Sequence, residues 1–266
     1  MKDLRLYFRL VSVSIKSQME YRASFLMTSF GNFLLTGIDF VGVWVLFSRF
    51  GKLKDWSLPE AAILYGIINM GFALSEAVFR GFDTFDRMVK SGDFDRVLLR
   101  PRNTVIQILG QELQMMRIGR FSQGLAVILW GGLKLKIFFS IPCLALLLFA
   151  ILGSAALFSG LFVLQATLSF WTIDSLEIVN TVTYGGVETA QFPLSIYNRW
   201  FRGFFTFVIP LACINYFPAH AILGKKDVLG YPEFFGWVSP FFGFAFLWFC
   251  FKIWEFGVRN YKSTGS

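Results

Sequence analysis

Apolar residues run from Ala23 to Phe47 with one ionisable interruption, Asp39, and comparable runs recur toward the end of the chain. Crossing the hydrocarbon core of a bilayer takes a helix of about 20 mostly apolar residues. Backbone N–H and C=O groups find no water there, so each run is expected to be helical. The pattern predicts six spans, near residues 24–47, 58–79, 121–135, 142–171, 178–197 and 234–254. Pro59 falls at the start of the second, where a proline is tolerated. The third is expected to begin as a helix in water, because Gln107, Gln111, Glu112, Arg117 and Arg120 precede its apolar part. The fifth is the least regular, interrupted by Gly185, Gly186, Glu188 and Pro193.

Two segments fit no span. In residues 1–22, Leu4, Phe8, Val11 and Ile15 recur at steps of four and three, while Lys2, Arg5, Arg9 and Lys16 lie mostly elsewhere. That pattern predicts an amphipathic helix lying in the headgroup plane. Residues 199–224 alternate aromatic residues with Pro210 and Pro218 and are too broken for a plain span. Non-spanning helices are tolerated at membrane depth where protein buries them. The expected fold is all-α and integral to the membrane, one domain over residues 1–266.

Polar residues inside the spans narrow the chemistry. Thr28, Asn32, Thr36 and Asp39 form one stripe along the first span, and Asn69 and Glu76 share a face of the second. Glu188 lies in the glycine-rich fifth. Such residues are costly in lipid, so they face other helices or a wet cavity. Asn32, Asp39, Glu76 and Glu188 are therefore candidates for lining a translocation path, against the simpler reading that they hydrogen-bond neighbouring helices. Asp174, after the fourth span, suits an N-cap. Trp44, Trp56, Trp130, Trp200 and Trp237 fall near expected span ends, as interface anchors do.

Composition agrees with a membrane protein: 55% hydrophobic residues, 16% charged, and 34 phenylalanines. The net charge of +8 does not point to nucleic acid. The basic residues cluster before the first span and around the loop 81–103, where they orient a topology and meet anionic lipid. With six spans both termini share a side with that loop, and this side holds more Lys and Arg. It is therefore expected to be cytoplasmic. The first apolar run is too long for a signal peptide and lacks a small-residue cleavage site. Cys143, Cys213 and Cys250 are dispersed in apolar settings, with no metal or disulfide spacing. The single histidine, His220, has no Cys or acid near it in sequence. No metal site and no catalytic residue is expected. Enzymatic chemistry would need a nucleophile with a base, or a metal cluster.

Several segments carry a resemblance: QMEYR at Gln18, VKSGDFDRVLLRPRN at Val89, FW-x-x-D at Phe170, FPLSIYNRW at Phe192 and FVIPLACINYFPA at Phe207. Their order and spacing resemble the short, roughly 260-residue permeases of type-2 ABC exporters over nearly the whole chain. The resemblance implies a six-helix permease of the bacterial inner membrane with an amino-terminal interfacial helix. It implies a cytoplasmic coupling helix between spans two and three. It also implies re-entrant helices between spans five and six, where Pro193, Pro210, Asn215 and Pro218 fall. The working unit would pair two permease chains, alike or different, with two ATPase subunits. ATP and Mg would bind in the ATPases. No cofactor is expected on this chain, which has no G-x-x-x-x-G-K-[ST] loop to cradle phosphates.

An ATPase partner needs a docking element, and residues 81–103 offer one. Phe82, Phe85 and Val89 recur at helical spacing as an apolar face, with Asp83, Asp86, Arg87 and Lys90 around it. Gly92 is placed to cap the helix, and Asp93 and Asp95 to carry the return. The bland alternative is a solvated loop that only sets topology. For the whole chain the alternative is a passive channel or assembly scaffold with no ATPase. The few charges along the expected path lean toward an amphipathic or lipid-like cargo.

Overall fold

A computed structural model describes residues 2–137, 140–172, 176–225 and 232–263. Asp174 lies outside the described residues. Those residues are helical throughout, apart from turns and an isolated bridge between Leu53 and Trp56. The long helices are α2 (Arg22–Phe50), α3 (Leu58–Asp83), α7 (Ile118–Leu135), α8 (Ile141–Leu168), α9 (Leu176–Ala190) and α13 (Phe241–Asn260). Ahead of them lies α1 (Lys2–Glu20). Three short helices follow α3: α4 (Phe85–Lys90), α5 (Asp93–Leu98) and α6 (Thr104–Leu109). Between α9 and α13 come α10 (Arg199–Gly203), α11 (Phe217–Leu223) and α12 (Glu233–Val238).

Among the described residues, four helices are long and apolar enough to cross a membrane: α2, α3 continued through α4, α8 and α13. A bent pair, Arg199–Val208 and Ala212–Leu223, meets the same test together, with an 84° angle at its break. Pro210 sits in that break. It removes a backbone donor and clashes with the preceding turn. α7 has 18 residues and carries Arg120 and Lys134, and α9 has 15.

α3 is the central helix, packed against α7 and α8, while α13 packs on α8. A capping box starts α3: the Ser57 N–H donates to Glu60 Oε2 at 2.7 Å, with Pro59 in the first turn. Leu64, Ile68 and Phe72 of α3 meet Leu157, Phe158, Leu161 and Phe162 of α8 in one cluster. Phe72 and Phe158 stack edge-to-face with centroids 5.0 Å apart. Lipid tails are as apolar as leucine, so helices in a bilayer associate through close packing, often at small residues. Gly119 of α7 sits against the Ser29 carbonyl of α2, and Gly243 of α13 against the Gly153 carbonyl of α8. A Cβ on either would overlap that backbone.

Several expectations are corrected. The segment leading into α7 is not one helix. It breaks between α6 and a 3-10 turn at Met115–Arg117, because Gly110 and Gln114 turn the chain so that the Gln114 N–H reaches the Ala77 carbonyl at 3.1 Å. The last long helix begins at Phe241 rather than near 234, with Pro240 at its N-cap and α12 as a separate turn of helix. On α1, Phe8 is exposed, while Val11 and Ile15 of the expected face are half-buried together with Tyr7, Leu10, Ser14 and Gln18. Trp56 is no surface anchor. It is buried beside His220, with ring centroids 5.1 Å apart, and under the Lys225 ammonium at 4.7 Å.

Candidate functional site

The most developed polar cluster lies between α3 and the start of α7. Asn69, Phe72 and Glu76 fall at steps of three and four, so they share a face of α3. All three receive Arg120. Its Nε donates to Asn69 Oδ1 at 3.0 Å, its guanidinium carbon lies 4.6 Å from the centre of the Phe72 ring, and its Nη1 lies 3.5 Å from Glu76 Oε2. Arg117 completes the set, with Nη2 3.1 Å from Glu76 Oε1. Glu76 is only 2% exposed. A carboxylate so placed is tolerable only when paired and hydrogen-bonded. The shared face of Asn69 and Glu76 is as expected. The arginines were not paired with it in sequence, although an acid inside a span asks for a basic partner, and these two head the next span.

The charges continue along α3 toward the short helices. Arg80 pairs with Asp83, which also accepts from Gln165 Nε2 of α8 at 3.3 Å. Arg80 Nε lies 3.7 Å from Glu112, and Glu112 accepts from the Thr84 hydroxyl at 3.2 Å. Acid and base thus alternate from Glu76, inside the bundle, to Thr84, where α4 begins.

α4 and α5 form a helical hairpin closed by Gly92. Gly92 has φ +73°, a left-handed conformation that glycine adopts without a Cβ clash. Asp93 and Asp95 occupy the first turn of α5, where a helix N-terminus favours acids. The Ser91 hydroxyl, 2.7 Å from the Asp93 carboxylate, and Arg96 beside it hold that carboxyl below its ordinary range. The apolar face of α4 points inward, contrary to the expectation of an outward apolar face. Phe82, Phe85 and Val89 are buried in the chain's own core. Phe85 stacks on Phe94 (4.9 Å), Trp254 (5.0 Å) and Phe170 (5.4 Å), and Phe82 on Trp254 (5.1 Å). Phe94, Phe170 and Trp254 are far apart in sequence, and periodicity within one segment cannot bring them together. The outward surface is polar: Arg87, Lys90, Asp93, Arg96 and Arg100 are exposed, with Leu99 among them at 85%. Asp86 pairs with Lys90 at 3.1 Å. Beside this surface a groove of about 520 Å³ runs between Arg87, Met88, Arg96, Arg100 and Glu112.

The remaining candidates divide between packing and exposure. Asn32 donates to the Met116 carbonyl at 3.3 Å, and Thr36 sits under the Tyr65 hydroxyl, which donates to its carbonyl at 2.6 Å. Asp39, the last residue of that stripe, is exposed, and so is Glu188 of α9. These two acids act on each other electrostatically, and both feel Tyr65. Asn215 is buried and donates to the Ala190 carbonyl at 2.6 Å, tying the second arm of the bent pair to the end of α9. Pro193 precedes a 3-10 turn at Leu194–Ile196, and Pro218 opens α11.

Neither the curated proteins nor the solved structures give a match. The family model described as ABC-2 family transporter protein matches residues 33–265, taking in every long helix described above, α2 from Asn32's neighbour onward. With apolar helices long enough to span a membrane and a family model covering most of its length, this chain belongs to the ABC-2 family of transporter proteins, as a membrane permease component of an ABC transporter.

Proposed function

We propose that the chain is the path-forming subunit of an ATP-driven exporter, driven by a separate ATPase that docks on the α4–α5 hairpin. The observation that carries this reading is the line of alternating charges from Glu76 to Glu112, which ends where α4 begins. Buried charge pairs hold a fixed geometry because separating them is costly. A displacement of the hairpin is thereby passed to α3 and α7 rather than absorbed. The docking surface is the exposed polar side of the hairpin with Leu99 as its apolar anchor, since Phe82, Phe85 and Val89 are committed to the chain's own core. In this reading α7 and α9 are the third and fifth of six spans, and the bent pair is re-entrant. The termini and the hairpin are cytoplasmic, in a bacterial inner membrane.

Purification of the tagged chain from its membrane in mild detergent is expected to bring a stoichiometric P-loop ATPase. Reversing both charges of the hairpin, Asp86→Lys with Arg87→Glu, is expected to leave the complex hydrolysing ATP while transport falls to background. Normal transport by that variant would remove the hairpin from the coupling path. Transport that survives ATP depletion would favour a passive channel instead.

A further inference from the structure

A second cleft, of about 750 Å³, opens between α1 and the segment after α5. This lies within the range of about 300–1,000 Å³ typical of small-molecule sites. Two hydrogen bonds fix its walls. Gln18 of α1 donates from Nε2 to the Leu113 carbonyl at 2.6 Å and accepts at Oε1 from the Met115 N–H at 3.0 Å. Leu10 seats on Gly110, where a Cβ would overlap its side chain. Gln107 donates to the Val97 and Arg102 carbonyls at 3.3 and 3.2 Å, holding the turn that carries Arg100 and Arg102.

The lining is divided by chemistry. Leu10, Val13, Leu113 and Met116 give an apolar strip, and Arg100 and Arg102 a basic edge. Arg9 and Lys16 are exposed four residues before and three after Val13, so they flank the same side of α1. Glu112 is the one carboxylate in the lining, and it already accepts from Thr84 and Gln114 with Arg80 nearby. The cleft stands where α1 gives way to α2 at Tyr21, beside the end of a helix long enough to span. An apolar strip under a basic edge at that level matches one molecule chemically: a phospholipid with a negative headgroup.

We infer that this cleft holds an anionic phospholipid, its phosphate at Arg100 and Arg102 and an acyl chain along Leu10, Val13, Leu113 and Met116. The inference needs the membrane setting but not the ATPase, so it stands or falls apart from the exporter reading. The test is native mass spectrometry of the full chain in detergent, titrated with phosphatidylglycerol, with phosphatidylcholine of the same acyl chains, and with free glycerol phosphate. Phosphatidylglycerol is expected to be retained and the other two not. Arg100→Gln with Arg102→Gln is expected to weaken its binding about thirtyfold. Arg100→Gln alone, at an exposed side chain, gives a smaller loss in the same direction and does not depend on how the double variant folds. Val13→Asn weakens the lipid by setting a polar amide where its chain packs, and Arg259→Gln with Lys262→Gln leaves binding unchanged. Equal retention of the two lipids, or an unaffected double variant, overturns the site. Free glycerol phosphate binding as tightly as the lipid overturns the lipid assignment and leaves a phosphate site.

Discussion

Glu76 is buried with two guanidiniums on its carboxylate, and the consequence can be measured residue by residue. Glu76→Gln leaves Arg117 and Arg120 without their counter-charge and is expected to cost about 3 kcal/mol. Arg120→Gln is expected to cost less, because Arg117 still faces the acid. The double variant should then fall short of the sum by about 1–3 kcal/mol. Thermal unfolding of the four proteins in one detergent checks this, and strict additivity would mean the groups do not interact. At this scale the sequence was half legible. Asn69 and Glu76 share a face by spacing alone, but Arg117 and Arg120 read as a helix in water. Hydropathy marks a charged residue as out of place in lipid. It carries no information on which neighbouring helix neutralises it.

Among the elements, the crossings depend on glycines that periodicity does not single out. α2 and α7 approach so closely at Gly119 that the Ser29 carbonyl occupies the place a Cβ would take. Gly119→Ala must push two backbones apart, and about 1–3 kcal/mol of stability is expected to go with it. Gly37→Ala, on α2 with nothing within 4 Å and on the opposite side of the helix from Asp39, is expected to be neutral or stabilising by up to about 1 kcal/mol, the helix-propensity gain of alanine. Equal effects would mean that α2 does not pack on α7 as described. The aromatic cluster behind the hairpin is a second test. Phe94 is fully buried against Phe85, Phe170, Trp254 and Tyr261. Phe94→Ala is expected to cost about 3–5 kcal/mol and to raise protease cleavage within residues 84–103 first. The long helices were readable because their apolar runs are long and unshared. The hairpin was readable as helix but not in its facing. Helical spacing locates an apolar stripe, and only the distant Phe94, Phe170 and Trp254 decide that it turns inward.

For the whole molecule, the question is which outer face meets lipid and which meets another chain. α13 exposes Phe241, Trp248, Phe249 and Phe256, and lipid accepts such a face without cost. The other side carries Asp39 and Glu188, both exposed. Asp39 lies 17 residues into the 29-residue α2, about 25 Å along it at 1.5 Å per residue. That depth places it within the hydrocarbon layer. An acid left there facing lipid costs about 2.5–3.5 kcal/mol by insertion scales, and two of them near each other cost more. If two permease chains assemble, the face of α2 and α9 is the one the second would cover, with the acids toward a wet space between the two chains. In a background with Cys143 replaced by Ser, Ile38→Cys, beside Asp39 and 66% exposed, is expected to cross-link permease to permease. Trp248→Cys, 64% exposed on α13, is expected to react with lipid-soluble reagents and form no cross-link. On that arrangement Asp39→Asn is expected to leave assembly intact while lowering transport, the outcome for a side chain that lines the path rather than packs. Cross-linking through Trp248 instead of Ile38 would reverse the two faces, and Asp39 would have to be neutralised within its own chain.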